Sequence, residues 1–177
     1  LAGKAVRAWQ RTLAHVPQSV FLADASLAEN IAFGVPPEAV DMDRVREAAR
    51  LARIADFIEG GPEGYAAKVG ERGVRLSGGQ RQRIGIARAL YKKARVLVFD
   101  EATSALDNAT EKAVMEAVSG LGPEITVLLI AHRLSTVRQC GDIVELSAGR
   151  VVAQGPYERL LELSPSFREL AGAPERA

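Results

Sequence analysis

Three observations predict an α/β fold with a mostly parallel sheet and helices outside it. Two short apolar runs, Arg95-Val96-Leu97-Val98-Phe99 and Ile125 to Ile130, read as buried strands. A helix-patterned stretch with Val114, Ala117, Val118 and Leu121 on one face lies between them, giving a strand–helix–strand unit. Gln18, Asp100, Glu101 and His132 all fall just past the C-terminal ends of expected strands, where ligands bind in such sheets.

Composition narrows the class. At 177 residues the expectation is one well-packed domain, and 47% hydrophobic with 25% charged residues is ordinary for a globular chain. A net charge of +1 provides no strong field toward nucleic acid or an acidic membrane surface. The longest apolar run, Ile125 to Ala131, is far short of the roughly 20 residues of a spanning helix. Cys140 is the only cysteine, so no internal disulfide forms; it is expected to be a small buried residue in a reducing compartment.

Taken in order, Leu13 to Val16 is expected as a short strand closed by Pro17, with Gln18 opening the following loop. His15 beside that strand reads as structural. Ser26-Leu27-Ala28-Glu29 is a capping box that opens a short helix ending at Gly34. From Asp43, the apolar positions Val45, Ala48, Ala52, Ala55 and Ile58 predict one longer helix stopping at Gly60-Gly61-Pro62. Gly64 to Gly73 reads as a polar surface loop.

Leu76-Ser77-Gly78-Gly79-Gln80 opens the next helix. Ser77 and Gln80 fit a second capping box, Ile84, Ala87 and Tyr91 mark a buried face, and Lys92 and Lys93 suit the negative end of the dipole. Two glycines in a first turn cost about 1 kcal/mol each against alanine in a helix interior. They leave backbone N–H groups uncovered for an anion, so a phosphate-facing helix start and an ordinary capped helix both remain open at this point.

Asp100-Glu101 ends the next strand. Alternation along a strand should point the two carboxylates different ways, which suits two separate tasks. Thr103 to Asp107 is a turn. Ile143 to Leu146 and Val151 to Ala153 read as a hairpin around Gly149, and Tyr157 to Leu163 and Phe167 to Ala171 as two terminal helices.

An anion-binding helix start with two strand-end carboxylates, a histidine and a glutamine fits metal-assisted phosphoryl transfer. One carboxylate would hold Mg²⁺, directly or through water, and the other would orient the attacking water.

At this level the chain resembles the nucleotide-binding domain of an ATP-binding cassette transporter. Leu76 to Gln80 matches the signature motif, Val96 to Glu101 the Walker B, and Ser104-Ala105-Leu106-Asp107 the D-loop. His132 matches the switch histidine and Gln18 the Q-loop glutamine, while Val69-Gly70-Glu71-Arg72-Gly73 is similar to the loop before the signature in exporter-type members. The resemblance implies a P-loop NTPase-like core sheet and a helical subdomain carrying the signature. Residues 19–94 would form that subdomain with the signature helix, 95–155 the core with Walker B, D-loop and H-loop, and 156–177 C-terminal helices.

The same resemblance implies the site. Asp100 holds Mg²⁺, Glu101 is the base for water, Gln18 touches Mg²⁺ and relays contact with a transmembrane export domain, and His132 contacts the γ-phosphate of ATP. Ser77, Gly78, Gly79 and Gln80 bind ATP held by the opposite subunit of a head-to-tail dimer, and Asp107 couples the two sites. The implied location is the cytoplasmic face of a membrane. No Gly-x-x-x-x-Gly-Lys-Ser/Thr occurs, and the family places that phosphate loop upstream of the Q-loop. The expectation is therefore the C-terminal portion of a cassette that does not hydrolyse ATP efficiently by itself. A chromosome-maintenance or repair ATPase of the same superfamily, or a regulator supplying only the signature half-site, remain as alternatives. The interval from Gln18 to Leu76 holds no long heptad insertion and the charge is near neutral, which favours transport and no nucleic-acid partner.

Overall fold

Parallel pairing organises the first part of the chain. The computed structural model describes residues 3–70, 73–103, 106–130 and 137–172. They fall into two compact units, 1–130 and 131–177.

In the first unit, α1 (Lys4–Thr12) leads directly into β1 (Leu13–Val16). β1 pairs in parallel with β2 (Val96–Asp100), and β2 with β3 (Thr126–Ile130), so β2 is central. The register sets Val16 opposite Phe99 and Asp100 opposite Ile130. α2 (Leu27–Ile31), α3 (Met42–Leu51) and α4 (Ala55–Glu59) come next, then the long α5 (Gly78–Tyr91). α6 (Asn108–Ser119) connects β2 to β3. The core gathers Ala14, Val16, Leu97 and Phe99 from one sheet face with Ile31, Val45, Ile58, Ile84, Ile86 and Val114 from the helices. Each such fully buried aliphatic side chain contributes about 1.5–3 kcal/mol.

Both capping boxes form in full, at Ser26–Glu29 and at Ser77–Gln80. α2 is shorter than expected, because its Ala32 C-cap already leaves helical geometry before Gly34. The single helix expected from Asp43 is two. Arg53 turns left-handed with φ 56°, and Ile54 N–H bonds Ala49 O, so the chain changes direction while its apolar period continues. α1, unexpected from the sequence, has no side-chain N-cap; Lys92 Nζ reaches Gln10 O and Leu13 O and secures its far end.

Among the described residues, the strands are buried on one face. β2 alternates, with Leu97 and Phe99 buried and Val96, Val98 and Asp100 half-buried. On β3, Val127 and Leu129 pack on the core, but Leu128 and Ile130 are 54% and 49% exposed. Helices cover the Ala14–Leu97–Val127 face; the His15–Val98–Leu128 face is open among the described residues.

In the second unit, β4 (Ile143–Ser147) and β5 (Arg150–Gly155) form the expected antiparallel hairpin, turning through Ala148 and Gly149, both at positive φ. The helices α7 (Tyr157–Leu163) and α8 (Pro165–Leu170) follow; Leu160 and Phe167 pack with Ala153, and the Tyr157 and Phe167 rings meet edge to face at 5.4 Å. Cys140 is half-buried, and burial pushes its thiol pKa up. Among the described residues no helix is long and apolar enough to cross a membrane.

Candidate active site

The C-terminal ends of β1 and β2 lie side by side because the strands pair in parallel. Their exits place Gln18 within reach of Glu101, and Gln18 Nε2 donates to Glu101 Oε2 at 2.8 Å. Asp100 stays in register on the open face, where His15 Nε2 is 3.8 Å from Asp100 Oδ2, within ion-pair reach when the imidazole is protonated.

Glu101 leaves the strand. Its φ of 49° is left-handed, a conformation uncommon for a residue with a side chain. Its N–H donates to Ile130 O at 2.9 Å, and its carbonyl accepts from Gln82 Nε2 at 3.3 Å. Asp100 and Glu101 thus have different partners, His15 and Gln18, because Glu101 turns out of the strand rather than through strand alternation.

Gln82 is the residue that sequence reasoning missed. It is only 3% exposed and belongs to the buried stripe that continues through Ile86 and Ala89, a periodicity visible in the sequence.

α5 positions most of this region. At its tip, Gln80 N–H donates to Ser77 Oγ and Ser77 N–H to Gln80 Oε1. The first-turn N–H groups of Gly78 and Gly79 have no acceptor within the helix, and Ser77 and Gly78 are exposed. Further along, Gly85 lies against Val20, two residues beyond Gln18; an added β-carbon would sit 2.6 Å from Val20 Cγ2. Arg88 Nε then donates to Asn30 O at 3.0 Å while its guanidinium lies 4.3 Å over the Phe33 ring. One rigid helix carries the glycine tip, touches the loop of Gln18 and supports the carbonyl of Glu101.

Asp107 is the N-cap of α6. It accepts from Thr110 N–H at 3.0 Å and from Thr110 Oγ1 at 2.7 Å, and these bonds hold its carboxyl below the usual aspartate range. Behind the turn, Thr103 Oγ1 donates to the buried Glu111 at 3.1 Å. The structure brings Gln18, Asp100 and Glu101 together at one sheet end. Among the described residues, Ser77 and Gln80 bond each other rather than that cluster. His132 and the D-loop residues Ser104 and Ala105 lie outside the described residues.

The donor set fits Mg²⁺. Asp100 offers a carboxylate with a 44% exposed side chain, and Gln18 offers an exposed amide oxygen. Among the described residues no three His, Cys, Asp or Glu side chains could cage a metal alone. Few protein ligands and several waters or phosphate oxygens is how magnesium is commonly held.

A parallel α/β sheet with a carboxylate pair at its C-terminal edge and a glycine-started helix beside it is the framework of a nucleotide-binding α/β domain. The chain belongs to the ABC transporter family, whose pattern matches residues 1–104. It is an ABC nucleotide-binding domain with exporter-type relatives. It is 47% identical over 153 residues to an ATP-dependent lipid A-core flippase of Cupriavidus metallidurans, covering 86% of this chain and 26% of that one. It is 46% identical over 158 residues to multidrug resistance protein pgp-1 of Caenorhabditis elegans, covering 89% and 12%. The solved structure of a bacterial Atm1-family ABC exporter with ATP bound superposes with a TM-score of 0.87 at 40% identity, over 92% of this chain and 28% of that one. The chain thus spans about a quarter or less of the length of these relatives.

Proposed function

We propose that this chain is the signature and Walker B portion of an ATP-hydrolysing domain that powers export through a transmembrane partner. In this reading residues 19–94 form the helical subdomain with the signature helix, 95–155 the core, and 156–177 the C-terminal helices. Glu101 acts as general base for the attacking water, and Gln18 orients its carboxylate. Asp100, with Gln18, holds Mg²⁺, which when bound screens phosphate charge. Ser77, Gly78, Gly79 and Gln80 grip the γ-phosphate of ATP on a second nucleotide-binding domain in a head-to-tail dimer. His132 contacts the γ-phosphate of the chain's own nucleotide, and Asp107 links the two sites.

The observation that carries this reading is the 2.8 Å bond between Gln18 and Glu101 at adjacent parallel strand ends. Ser77 and Gln80 bond each other and leave the exposed tip of α5 available to a second copy, which supports a composite site shared between two copies. The relatives' membrane setting supports a cytoplasmic face as the location. The exposed Phe21 and Phe33, edge to face at 6.5 Å near α2, give a transmembrane partner an apolar foothold.

The test is Glu101→Gln in the full-length protein. ATP should bind with wild-type affinity while turnover falls roughly 10²- to 10⁴-fold, the range for loss of a general base. Unchanged turnover would remove Glu101 from this role.

A further inference from the structure

We propose that Gln82 is a positioning residue for Glu101, fixing the direction of the carboxylate by holding its own main-chain carbonyl. The inference rests on the reading of Glu101 as the base.

Among the described residues, contacts from several elements hold Glu101. β3 accepts its N–H through Ile130 O, the loop after β1 grips its carboxylate through Gln18, and α5 grips its carbonyl through Gln82. A left-handed backbone at a residue with a side chain persists only where its surroundings over-determine it. Holding the carbonyl fixes the peptide plane after Glu101, which limits rotation about its ψ and so the path of the chain into Ala102.

The chemistry of Gln82 agrees. A glutamine 3% exposed on a stripe with Ile86 and Ala89 occupies a place where leucine or methionine would fill the same space without polar atoms to satisfy. Its amide N–H is what an apolar residue lacks, and it is directed at Glu101 O.

The placement also links two sites. Gln82 lies five residues from Ser77, about 7.5 Å along a rigid helix axis at 1.5 Å per residue. The helix whose glycine tip serves the nucleotide of one subunit therefore fixes the base that serves the other. A shift of the tip on docking reaches Glu101 through the Gln82 side chain, alongside the contact of Gly85 with the loop of Gln18.

The experiment uses the full-length protein and MgATP, with turnover expressed per nucleotide-binding-competent site. Gln82→Met keeps volume and removes the donor; Gln82→Asn keeps the amide and shortens its reach. Both should lose roughly ten- to a hundredfold in kcat, the scale of a misplacement near 1 Å, with KM for ATP within about twofold of wild type. In a Glu101→Gln background, Gln82→Met should cause no further loss, because the group it positions is already gone. Wild-type kcat in either single variant, or losses that multiply in the double variant, overturns the proposal. If Glu101→Gln alone leaves turnover intact, the base reading itself fails; a fall there with wild-type Gln82→Met rejects the positioning role alone.

Discussion

Gln18 and Glu101, 83 positions apart in the chain, are joined by a 2.8 Å bond in which the amide N–H donates to the carboxylate. Parallel pairing of β1 and β2 makes the contact possible, since it brings both strands to their C-terminal ends at the same edge. The exposed amide leaves its oxygen for a cation and commits its N–H to aiming the base. Gln18→Ala in the full-length protein should lose that aim, about 1 kcal/mol or roughly fivefold in turnover for the exposed bond alone, and more as the Mg²⁺ contact goes with it. Gln18→Glu should lose more, because it sets like charges together. Steady-state ATP turnover checks both, and wild-type rates for Gln18→Glu would contradict the pairing.

Asp107 serves α6 as well as any partner site, and two substitutions separate the roles. Asparagine is as good an N-cap as aspartate, so Asp107→Asn should keep the first turn of α6, whereas Asp107→Ala should fray it. Hydrogen exchange at the Thr110 amide, which donates to Asp107, reads the cap directly and should quicken only in the alanine variant. The pH dependence has a defined sign. The folded carboxyl titrates below its ordinary value, so the cap's contribution is fully present above the unfolded pKa and disappears as pH falls through the lower folded one. Protection of the Thr110 amide, its exchange rate divided into the intrinsic rate at each pH, should therefore fall in acid for wild type and stay flat with pH for Asp107→Asn.

Local chemistry made much of this fold legible. Both capping boxes, the strands expected at 13–16 and 95–99 and the hairpin around Gly149 follow from neighbouring residues alone, and the structure has each of them, the second strand at 96–100. The strand-end placement of Gln18, Asp100 and Glu101 was legible too, because it needs only strand boundaries and direction. Features that depend on distant partners were not. The turn between α3 and α4 rests on a left-handed Arg53, and arginine carries no signal for that conformation. Gln82 was hidden among Arg81 and Arg83 as one of three polar residues, although its spacing to Ile86 and Ala89 placed it on the buried side.

Arg88 ties α5 to α2 through Asn30 O and the Phe33 ring, and burial pulls its pKa down from the usual guanidinium value. Asn30 in turn bonds Ala23, Ser26 and their neighbours, so the segment after Gln18 is organised through this junction. Arg88→Met should cost about 1–3 kcal/mol by removing a charged donor and its ring contact. Arg88→Lys should recover only part of that, since an ammonium cannot both donate at this angle and stack flat on Phe33. Urea unfolding midpoints rank the variants; equal stability of lysine and arginine would show that charge alone matters here.

Gly85 sets two known magnitudes against each other. In a helix interior, alanine is favoured over glycine by about 1 kcal/mol, so an unencumbered Gly85→Ala should stabilise α5. Here the new methyl would meet Val20 Cγ2 at 2.6 Å and Cγ1 at 3.1 Å, and a β-branched side chain has few rotamers in which to retreat. Overpacking of this kind costs about 1–3 kcal/mol, so the balance is destabilising or near neutral, never a gain. Relief must come from the loop carrying Val20, and two residues earlier that loop carries Gln18. Turnover should therefore fall in Gly85→Ala even if the unfolding midpoint barely moves. Adding Val20→Ala removes the obstructing methyls, so the double variant should regain turnover and reveal the helix-propensity gain that the clash had masked. A Gly85→Ala protein that is more stable than wild type and fully active would mean that α5 and the Gln18 loop are not packed as the structure has them.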